Sequence, residues 1–445
     1  MKTKPMFYFI AAFSAISGLL YGYDIGVISG ALLFMQKDLS LNPHEVSMIG
    51  AAVLGGGAFV TLITGVLSDW FGRKKMMLVA AIVFLLGIIA IVNAHNYHEA
   101  LVARLIQGIG VGIITINAPL YIAESAPTRL RGRSVTLFQL MLTIGILSAG
   151  FVDLFFTSHG GDWKGMFLTG FVPGAIMLAG AFIIPESPRW LMLKGHPAKA
   201  LAVLQRTRSN EEAEIELSEM QESVQAAHPH AHENSPIWQR RYILPLALIC
   251  IISILQQLTA VNSVLQFGAI LLKQSGLHSN LMAMTGATGI MALNFLTTLL
   301  ALCLIDKVGR KILLLIGTGG LACALFFSSA IMHFIAPGPI QGYFLMIGLF
   351  AFIIFYAIGP GVVIWLILSE LLPLRIRSKG MAVGLFLNCL TSAILAAVFI
   401  PMIDQIGASG VFLLCGVSTT IYFLISTRLP ETNQKTLEEI EAEFI

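Results

Sequence analysis

The segment GVLSDWFGRK at residues 65–74 recurs in modified form as LIDKVGRK at residues 304–311. Each copy follows a long apolar stretch and places an acid three residues before a Gly-Arg-Lys sequence. Two more pairs of segments recur in the same order, namely ESAPTRLRG at 124–132 with ELLPLRIR at 370–377, and PES at 185–187 with PET at 430–432. Each second copy lies roughly 240 residues after the first, which indicates that one structural unit has been duplicated.

The composition indicates that both units lie in a membrane. Hydrophobic residues make up 56% of the 445-residue chain and charged residues only 11%, with a mean hydropathy of +0.83. A water-soluble fold of this size could not cover its surface with so few charges. Lipid permits only helices and closed barrels, and the apolar runs here have the length of helices, about 20 residues each. The sequence therefore predicts an all-α membrane protein.

We predict twelve transmembrane helices, six in each unit. Their approximate spans are 7–31, 46–68, 76–94, 101–123, 134–155, 167–185, 242–268, 280–304, 312–335, 341–371, 379–401 and 408–428. The first is too long for a cleaved signal and is interpreted as a retained span. We assign residues 1–189 to an N-lobe, 190–240 to a polar linker of cytoplasmic helices, 241–428 to a C-lobe and 429–445 to a cytoplasmic tail.

Basic residues predict the orientation. Lys and Arg cluster in the loops after the second, fourth, eighth and tenth spans, and the positive-inside rule places these loops in the cytoplasm. Both termini then lie in the cytoplasm as well. The net charge of +3 reflects this topology and gives no reason to expect nucleic-acid binding. We expect a multi-pass protein of a bacterial inner membrane that works as a monomer.

Metal and catalytic sites are not expected. The five cysteines lie inside predicted spans without the spacing of metal ligands. His228, His230 and His232 alternate within the linker and are interpreted as part of a solvated loop in preference to a metal site. The sequence contains neither a phosphate-binding Gly loop followed by Lys and Ser or Thr nor a recognisable catalytic triad. We therefore expect no enzymatic activity, no ATP-driven pumping and no cofactor.

Charged residues of the duplicated motifs form a candidate conformational latch. Acids and bases recur at equivalent helix ends of both lobes, where they can pair across neighbouring helices and bias a two-state equilibrium. We expect Asp69 to pair with Arg73, Glu124 with Arg129 or Arg131, and Glu370 with Arg375 or Arg377. These pairs should hold in an outward-facing state and separate on inward opening. The alternative is a set of topology-determining basic loops with incidental acids. The latch candidates are Asp69, Arg73, Glu124, Arg129, Arg131, Asp306, Arg310, Glu370, Arg375 and Arg377.

Together the motifs resemble those of the sugar porter branch of the major facilitator superfamily. PESPRW at 185–190 and PET at 430–432 are hallmarks of that branch, and the resemblance extends along nearly the whole chain. It implies two pseudo-symmetric six-helix lobes that rock around a site at the bilayer midplane, so that the site is open to one side at a time. It also implies a monosaccharide as the substrate.

Asp24 is the candidate proton acceptor. It lies in the middle of the first span, where an ionised carboxylate costs about 2.5 to 3.5 kcal/mol and needs a partner, a proton or a water-filled cavity. Arg104 in the fourth span is the candidate partner, because the family architecture places both helices beside the central cavity. Proton-coupled members carry an acid at this position, so the resemblance implies that Asp24 takes up the proton while Arg104 tunes its proton affinity. A permanent structural ion pair is the alternative.

Seven residues are candidate sugar ligands. Amide side chains donate and accept hydrogen bonds, as sugar hydroxyl groups do, without the desolvation cost of a charge. The family pattern has polar sugar contacts at these positions, while a tryptophan after a Gly-Pro-Gly break would lie against the apolar face of a sugar. Each amide alone could instead bond to a neighbouring helix. The candidates are Gln139, Gln256, Gln257, Asn262, Asn294, Trp365 and Asn388.

The leading hypothesis is a monosaccharide:proton symporter, and the alternatives are a passive sugar facilitator and a membrane sugar sensor that does not transport. The chain departs from the usual hexose-carrier pattern in the seventh span, where residues 256–267 read QQLTAVNSVLQF, and in the eleventh, where Cys389 follows Asn388. These departures reshape the expected pocket. Glucose, galactose, xylose, arabinose and an inositol all remain candidate substrates.

Overall fold

A computed structural model describes residues 5–126, 131–230, 240–372 and 376–431, and these ranges fold into helices. The helices are α1 (Pro5–Asp38), α2 (Pro43–Phe71), α3 (Arg73–Val92), α4 (Tyr97–Ser125), α5 (Arg131–Ser158), α6 (Trp163–Thr169), α7 (Phe171–Ile183), α8 (Pro188–Leu193), α9 (Pro197–Thr207), α10 (Asn210–His230), α11 (Arg240–Leu258), α12 (Val261–Gln274), α13 (Asn280–Val308), α14 (Arg310–Phe334), α15 (Pro339–Ile358), α16 (Pro360–Glu370) and α17 (Arg377–Thr427).

The number of transmembrane spans agrees with the sequence prediction. Within the described ranges, eleven stretches are long and apolar enough to cross a bilayer. One of them, Gly380–Thr427, has 48 residues, and Gly407 interrupts it with φ 74° and ψ 158°. This stretch therefore supplies the eleventh and twelfth spans, and the predicted all-α fold with twelve spans is confirmed.

Two spans of the C-lobe are broken within their length. The seventh consists of α11 and α12, which meet at Ala260 in the left-handed conformation (φ 67°). The tenth consists of α15 and α16, which meet at Gly359, and Pro360 begins the second segment. A left-handed residue other than glycine is strained by about 1 kcal/mol or more. Such breaks free backbone groups and typically line the substrate site of a transporter.

The N-lobe depends on a close approach of α1 to α5. Gly18, Gly22 and Gly26 occupy successive turns of α1, and a β-carbon at each would overlap atoms of α5. Small residues let helix backbones approach each other in lipid, where no hydrophobic driving force brings helices together. A fourth glycine of the same row, Gly30, faces the carboxyl group of Asp153.

The two lobes are sealed at one end of the molecule. They meet through α2 with α17, α5 with α13 and α1 with α12. The hydrogen bonds described between the lobes run from Ile400 N to Ser47 Oγ (3.0 Å) and from Thr288 Oγ1 to Gly150 O (3.1 Å). Both lie towards the short loop at 39–42, and we call this side the loop-39 end. The rings of Phe267 and Phe399 also stack there, with 5.7 Å between centroids.

We expect Gly22→Ala to destabilise the protein, because the added methyl group would overlap the carbonyl group of Leu142 on α5. Overpacking of this kind typically costs about 1–3 kcal/mol. Gly55→Ala is the matched control, since a β-carbon there would have nothing within 4 Å, and glycine-to-alanine changes inside a helix otherwise stabilise by about 0.5–1 kcal/mol. Thermal unfolding in detergent should give a lower midpoint for the first variant only. Equal midpoints would show that the α1–α5 contact relaxes at no cost.

Candidate functional site

The structure brings Asp24 and Arg104 together inside the N-lobe. Arg104 Nη1 donates to Asp24 Oδ1 at 2.7 Å, and each residue is 1% exposed. The ring of Phe167 lies 5.3 Å from the guanidinium carbon. The second carboxylate oxygen, Asp24 Oδ2, has no hydrogen-bond partner among the described residues. One oxygen of the acid is thus held by the cation, and the other has capacity to bind a proton or a hydrogen-bond donor.

Gln107 belongs to the same group, although the sequence analysis did not single it out. Its Oε1 accepts a hydrogen bond from Arg104 Nη1 at 2.8 Å, and its Nε2 has no partner among the described residues. The spacing of three residues places Gln107 on the same helix face as Arg104. That spacing was a signal in the sequence, because a polar residue one turn from a buried charge is well placed to bond to it.

A network of amides occupies the C-lobe and joins four of the predicted ligands. Gln257 Nε2 donates to Asn388 Oδ1 at 3.0 Å, and Asn388 Nδ2 donates to Gln256 Oε1 at 2.8 Å. Asn262 Nδ2 donates to Gln257 Oε1 at 3.1 Å. Gln256 Nε2 donates in turn to the hydroxyl of Tyr356 at 2.6 Å. We call these five side chains the amide network.

The break at Ala260 explains how the network forms. Asn262 follows Gln257 by five residues, and in a continuous helix these positions would point about 140° apart. The left-handed conformation of Ala260 ends α11 and begins α12, so the two side chains meet. Ser392 Oγ accepts a second hydrogen bond from Asn262 Nδ2 at 2.7 Å, which fixes α12 against α17. The network is therefore built on the discontinuity of the seventh span.

Two of the remaining predicted ligands lie apart from these hydrogen bonds. Asn294 is buried on α13 and Gln139 is half-buried on α5, and neither makes a described bond to the amide network. The side chain of Trp365 lies outside the described residues.

Tyr21 links the two polar groups. It lies on α1, one turn before Asp24. Tyr21 and Tyr356 of the C-lobe pack against the same buried hydrophobic cluster. Because Tyr356 is part of the amide network, the buried acid and the amides adjoin one cluster that both lobes share.

Arg73 is the centre of an ionic network at the other end of the N-lobe. Its Nε and Nη2 donate to the two carboxylate oxygens of Glu124, each at 2.9 Å, and its Nη1 donates to Asp69 Oδ1 at 2.9 Å. Glu124 also accepts a hydrogen bond from the hydroxyl of Ser187. Glu124 therefore pairs with Arg73, whereas the sequence analysis placed it with the arginines that follow it. All members of the network belong to a single lobe.

Most other latch candidates lie outside the described part of the chain, either entirely or in their side chains. Arg129 and Arg375 lie outside the described residues, and so do the side chains of Arg131, Asp306, Glu370 and Arg377. Arg310 is described, and its backbone amide donates to Glu431 Oε1 at 3.0 Å.

Glu186 and Glu431 cap equivalent helices in the two halves of the chain. The Glu186 carboxylate accepts from the first two amides of α3 at 2.8 and 3.1 Å, and the Glu431 carboxylate accepts from the first two amides of α14 at 3.0 and 3.1 Å. A carboxylate at a helix start satisfies free amides and complements the helix dipole. Gly72 (φ 96°) and Gly309 (φ 98°) precede these helices, and a side chain at either position would crowd the carboxylate. The repeated Pro-Glu and Gly-Arg-Lys segments are thus two parts of one contact, which their recurrence in the sequence did not reveal.

Comparison with known proteins shows that the chain is similar to sugar transporters. A family model described as sugar (and other) transporter matches residues 10–444. The chain is 32% identical to the galactose-proton symporter of Escherichia coli strain K12, over 99% of this chain and 95% of that protein. The inward open conformation of the xylose transporter XylE from E. coli matches with a TM-score of 0.83 and 26% identity, over 98% of this chain and 99% of XylE. The proton:xylose symporter XylE bound to 6-bromo-6-deoxy-D-glucose matches with a TM-score of 0.79 and 25% identity, over 99% of both chains.

We expect Glu124→Gln to destabilise the protein far more than Asp69→Asn, although both remove a carboxylate from Arg73. The Glu124 and Arg73 side chains are 7% and 4% exposed, whereas the Asp69 side chain is 67% exposed. Breaking a buried pair typically costs about 3–5 kcal/mol, and an exposed pair contributes about 0–1 kcal/mol. Thermal unfolding in detergent measures the difference. Similar losses in both variants would mean that burial does not set the strength of the pair.

Proposed function

The chain belongs to the sugar transporter family of the major facilitator superfamily, and from this membership we propose that it is a secondary active transporter that carries a monosaccharide together with a proton. The observation that supports coupling is the pairing of Asp24 with Arg104 on helices of the N-lobe, with the amide network of the C-lobe adjoining the same buried cluster. An acid that can change its protonation is thus combined with neutral groups suited to a polyol. Two of the similar proteins are described as proton-coupled sugar carriers.

The ion pair offers a physical route to coupling. While Asp24 is ionised, it holds Arg104 at 2.7 Å. A proton on Asp24 removes the charge attraction and leaves Arg104 bonded mainly to Gln107. The two protonation states therefore favour different arrangements of α1 and α4, and α1 also carries Tyr21 towards the amide network. A difference in the stability of two conformations between protonation states is what coupling requires.

The amide network supports a sugar as the bound solute. Its members bond to one another in this structure, and a sugar hydroxyl can replace an amide partner by donating and accepting at the same time. No charged group belongs to the network, so a neutral polyol enters without leaving a buried charge unpaired. A passive facilitator would use the same amides, but it would give Asp24 and Arg104 no role beyond structure.

We propose that the loop-39 end faces the outside of a bacterial inner membrane. The Lys- and Arg-rich segments lie at the opposite end, which the positive-inside rule places in the cytoplasm together with both termini. The described seal at the loop-39 end then corresponds to an inward-facing state. The higher TM-score to the inward open form of XylE, 0.83 against 0.79 for the ligand-bound form, supports this assignment.

In this orientation the proposed cytoplasmic linker of residues 190–240 comprises most of α8 together with α9 and α10. Arg208, buried at the end of α9, donates to Glu216 Oε1 at 2.8 Å and to Ala126 O at 3.2 Å. The linker is thereby attached to the end of α4 and to the N-lobe of residues 1–189. The C-lobe of residues 241–428 and the tail at 429–445 complete the proposed organisation, and the two lobes together suffice for a working monomer.

The ionic network around Arg73 has a different role from the one the sequence suggested. Its described members lie in one lobe, so separation of the lobes leaves the pairs intact. We propose that it fixes the cytoplasmic ends of α2, α3 and α4 to one another, so that the N-lobe rotates as a rigid body.

Uptake of radiolabelled monosaccharides into sealed vesicles tests the function. We expect one or more members of a panel of galactose, glucose, xylose, arabinose and inositol to accumulate when the outside is made acidic. One proton moved through 100 mV supplies about 2.3 kcal/mol, and each 1.4 kcal/mol supports about tenfold accumulation. An uncoupler should abolish the accumulation. Uptake that ignores the pH gradient would favour the passive facilitator, and binding without uptake would favour the sensor.

Asp24→Asn should abolish proton-driven accumulation while sugar exchange across the membrane continues, because the amide keeps a hydrogen-bond acceptor for Arg104 but cannot carry the proton. The internal sugar concentration should then reach, and not exceed, the external one. Asp38→Asn is the matched control, since Asp38 is an exposed acid at the end of the same helix. Accumulation retained in Asp24→Asn would defeat the assignment of the proton site.

A further inference from the structure

Asp153 is a second buried acid of the N-lobe, and coupling through Asp24 leaves it without a role. It lies on α5, is 0% exposed and faces Gly30 of α1. Gly30 N donates to Asp153 Oδ2 at 2.9 Å. A β-carbon at position 30 would lie 2.5 Å from both Cβ and Cγ of Asp153. The glycine therefore provides the space that the carboxyl group fills.

The second oxygen of this carboxyl group is buried, and no described hydrogen bond offsets its loss of water. Asp153 Oδ1 has no hydrogen-bond partner among the described residues, and the described ion pairs do not include Asp153. Asp24, in contrast, has Arg104 as its counter-charge. Burying an anion without a counter-charge in a membrane protein is strongly unfavourable. The environment of Asp153 therefore favours the neutral carboxylic acid.

The charged groups on neighbouring helices are engaged elsewhere. The titratable groups on the helices packed against α5 include Tyr23, Asp24, Lys37 and Asp38 on α1, Arg104 on α4 and Lys164 on α6, while α13 presents the uncharged Thr288 and Met291. Lys37 and Asp38 are exposed at the end of α1, and Asp38 accepts a hydrogen bond from Trp163 Nε1. The Tyr23 hydroxyl donates to Met166 O at 2.7 Å. Arg104 bonds to Asp24 and Gln107, and Lys164 Nζ lies 5.3 Å from the ring of Trp163.

Asp153 also lies next to the seal between the lobes. Gly150, one turn earlier on α5, accepts the hydrogen bond from Thr288 Oγ1, and a β-carbon at Gly150 would lie 2.7 Å from Met291 Sδ. Its partner Gly30 lies six residues beyond Asp24 on α1, about 9 Å nearer to the loop-39 end. The acid is thus placed where separation of α5 from α13 admits water from that side.

We propose that Asp153 is a second proton-binding site, which takes a proton from the external water and must be neutral before the lobes seal at the loop-39 end. The orientation, and hence the external source of the proton, rests on the proposed function. In the sealed state the acid is fully buried, so its proton is not released to the other side. Asp153 therefore gates the closure of the outer end, whereas Asp24 carries the transported proton.

Infrared spectroscopy of the purified protein tests proton binding without any sugar. In Asp24→Asn protein at neutral pH, we expect the C=O stretching band of a neutral carboxylic acid, and we expect Asp24→Asn/Asp153→Asn to lack it. Asp38→Asn in the same background is the control and should leave the band unchanged. If the double variant does not fold, ¹³C-labelling of aspartate in Asp24→Asn should shift the band. A band that is absent at neutral pH, or that survives removal of Asp153, overturns the proposal whatever the protein transports.

Exchange of radiolabelled D-galactose at equal pH on both sides tests the gating role. In Asp24→Asn proteoliposomes we expect the exchange rate to fall by up to about tenfold per pH unit in the alkaline range, the limit for one proton. The double variant should change by less than about twofold over the same range. An equal fall of the exchange rate at alkaline pH in both variants overturns the proposed gating role of Asp153. If D-galactose does not exchange at any pH, the same comparison is made with the member of the panel that the protein takes up; failure of the whole panel defeats the proposed function, and the infrared result still decides proton binding at Asp153.

Discussion

The energetic cost of leaving a polar group unpaired in lipid determines how this molecule is arranged. Backbone amides at the start of α3 and α14 receive carboxylates from distant parts of the chain, and the buried guanidinium of Arg73 receives two. In water such groups would need no specific partner, but inside a membrane protein they do. The charged residues of the repeated motifs therefore serve mainly to hold helix ends together. They make each described group of helix ends rigid, and rigid lobes are a requirement of alternating access.

Rigid lobes move relative to each other only if some backbone positions are flexible. The broken helices of the C-lobe provide such positions. Ala260 and Gly359 interrupt the seventh and tenth spans, and the amide network includes side chains from α11, α12 and α15 around them. A side chain on such a segment can change partners through rotation at one backbone position, with the rest of the lobe unchanged. Helix α12 also contacts α1 at the interface of the lobes. If the amides bind the solute as proposed, the same short helix takes part in recognition and in the movement of the seal.

The sequence predicted the spans well because a run of about 20 apolar residues is a strong signal in itself. The contact of Asp24 with Arg104 was also predicted, because a buried acid needs a partner and the family resemblance places the first and fourth spans beside the same cavity. The sequence did not show which charged residues pair with each other at the helix ends. Glu124 lies close in sequence to Arg129 and Arg131, yet it bonds to Arg73, which only the packing of α3 on α4 brings near. The break at Gly359 was visible as Gly-Pro-Gly, whereas nothing about an alanine indicates the left-handed conformation of Ala260. Asp153 was not predicted, although the argument that identified Asp24, an acid inside an apolar span, applies equally to Asp153 in the fifth span.

The duplicated lobes have diverged in the polar groups that they carry. The N-lobe holds buried acids, of which Asp24 has a counter-charge and Asp153 has none among the described residues, and the C-lobe holds amides that bond to one another. A carboxyl group responds to pH and an amide does not, so the two lobes respond to different ligands. Helix α1 joins these responses, because it carries Tyr21 towards the amide network, Asp24 towards Arg104 and Gly30 against Asp153. In the proposed mechanism, a change in protonation on α1 or α5 acts on the packing of one helix that adjoins the amide network and contacts α12 at the interface of the lobes. By this route a proton on one lobe would change the affinity of the other for a neutral solute.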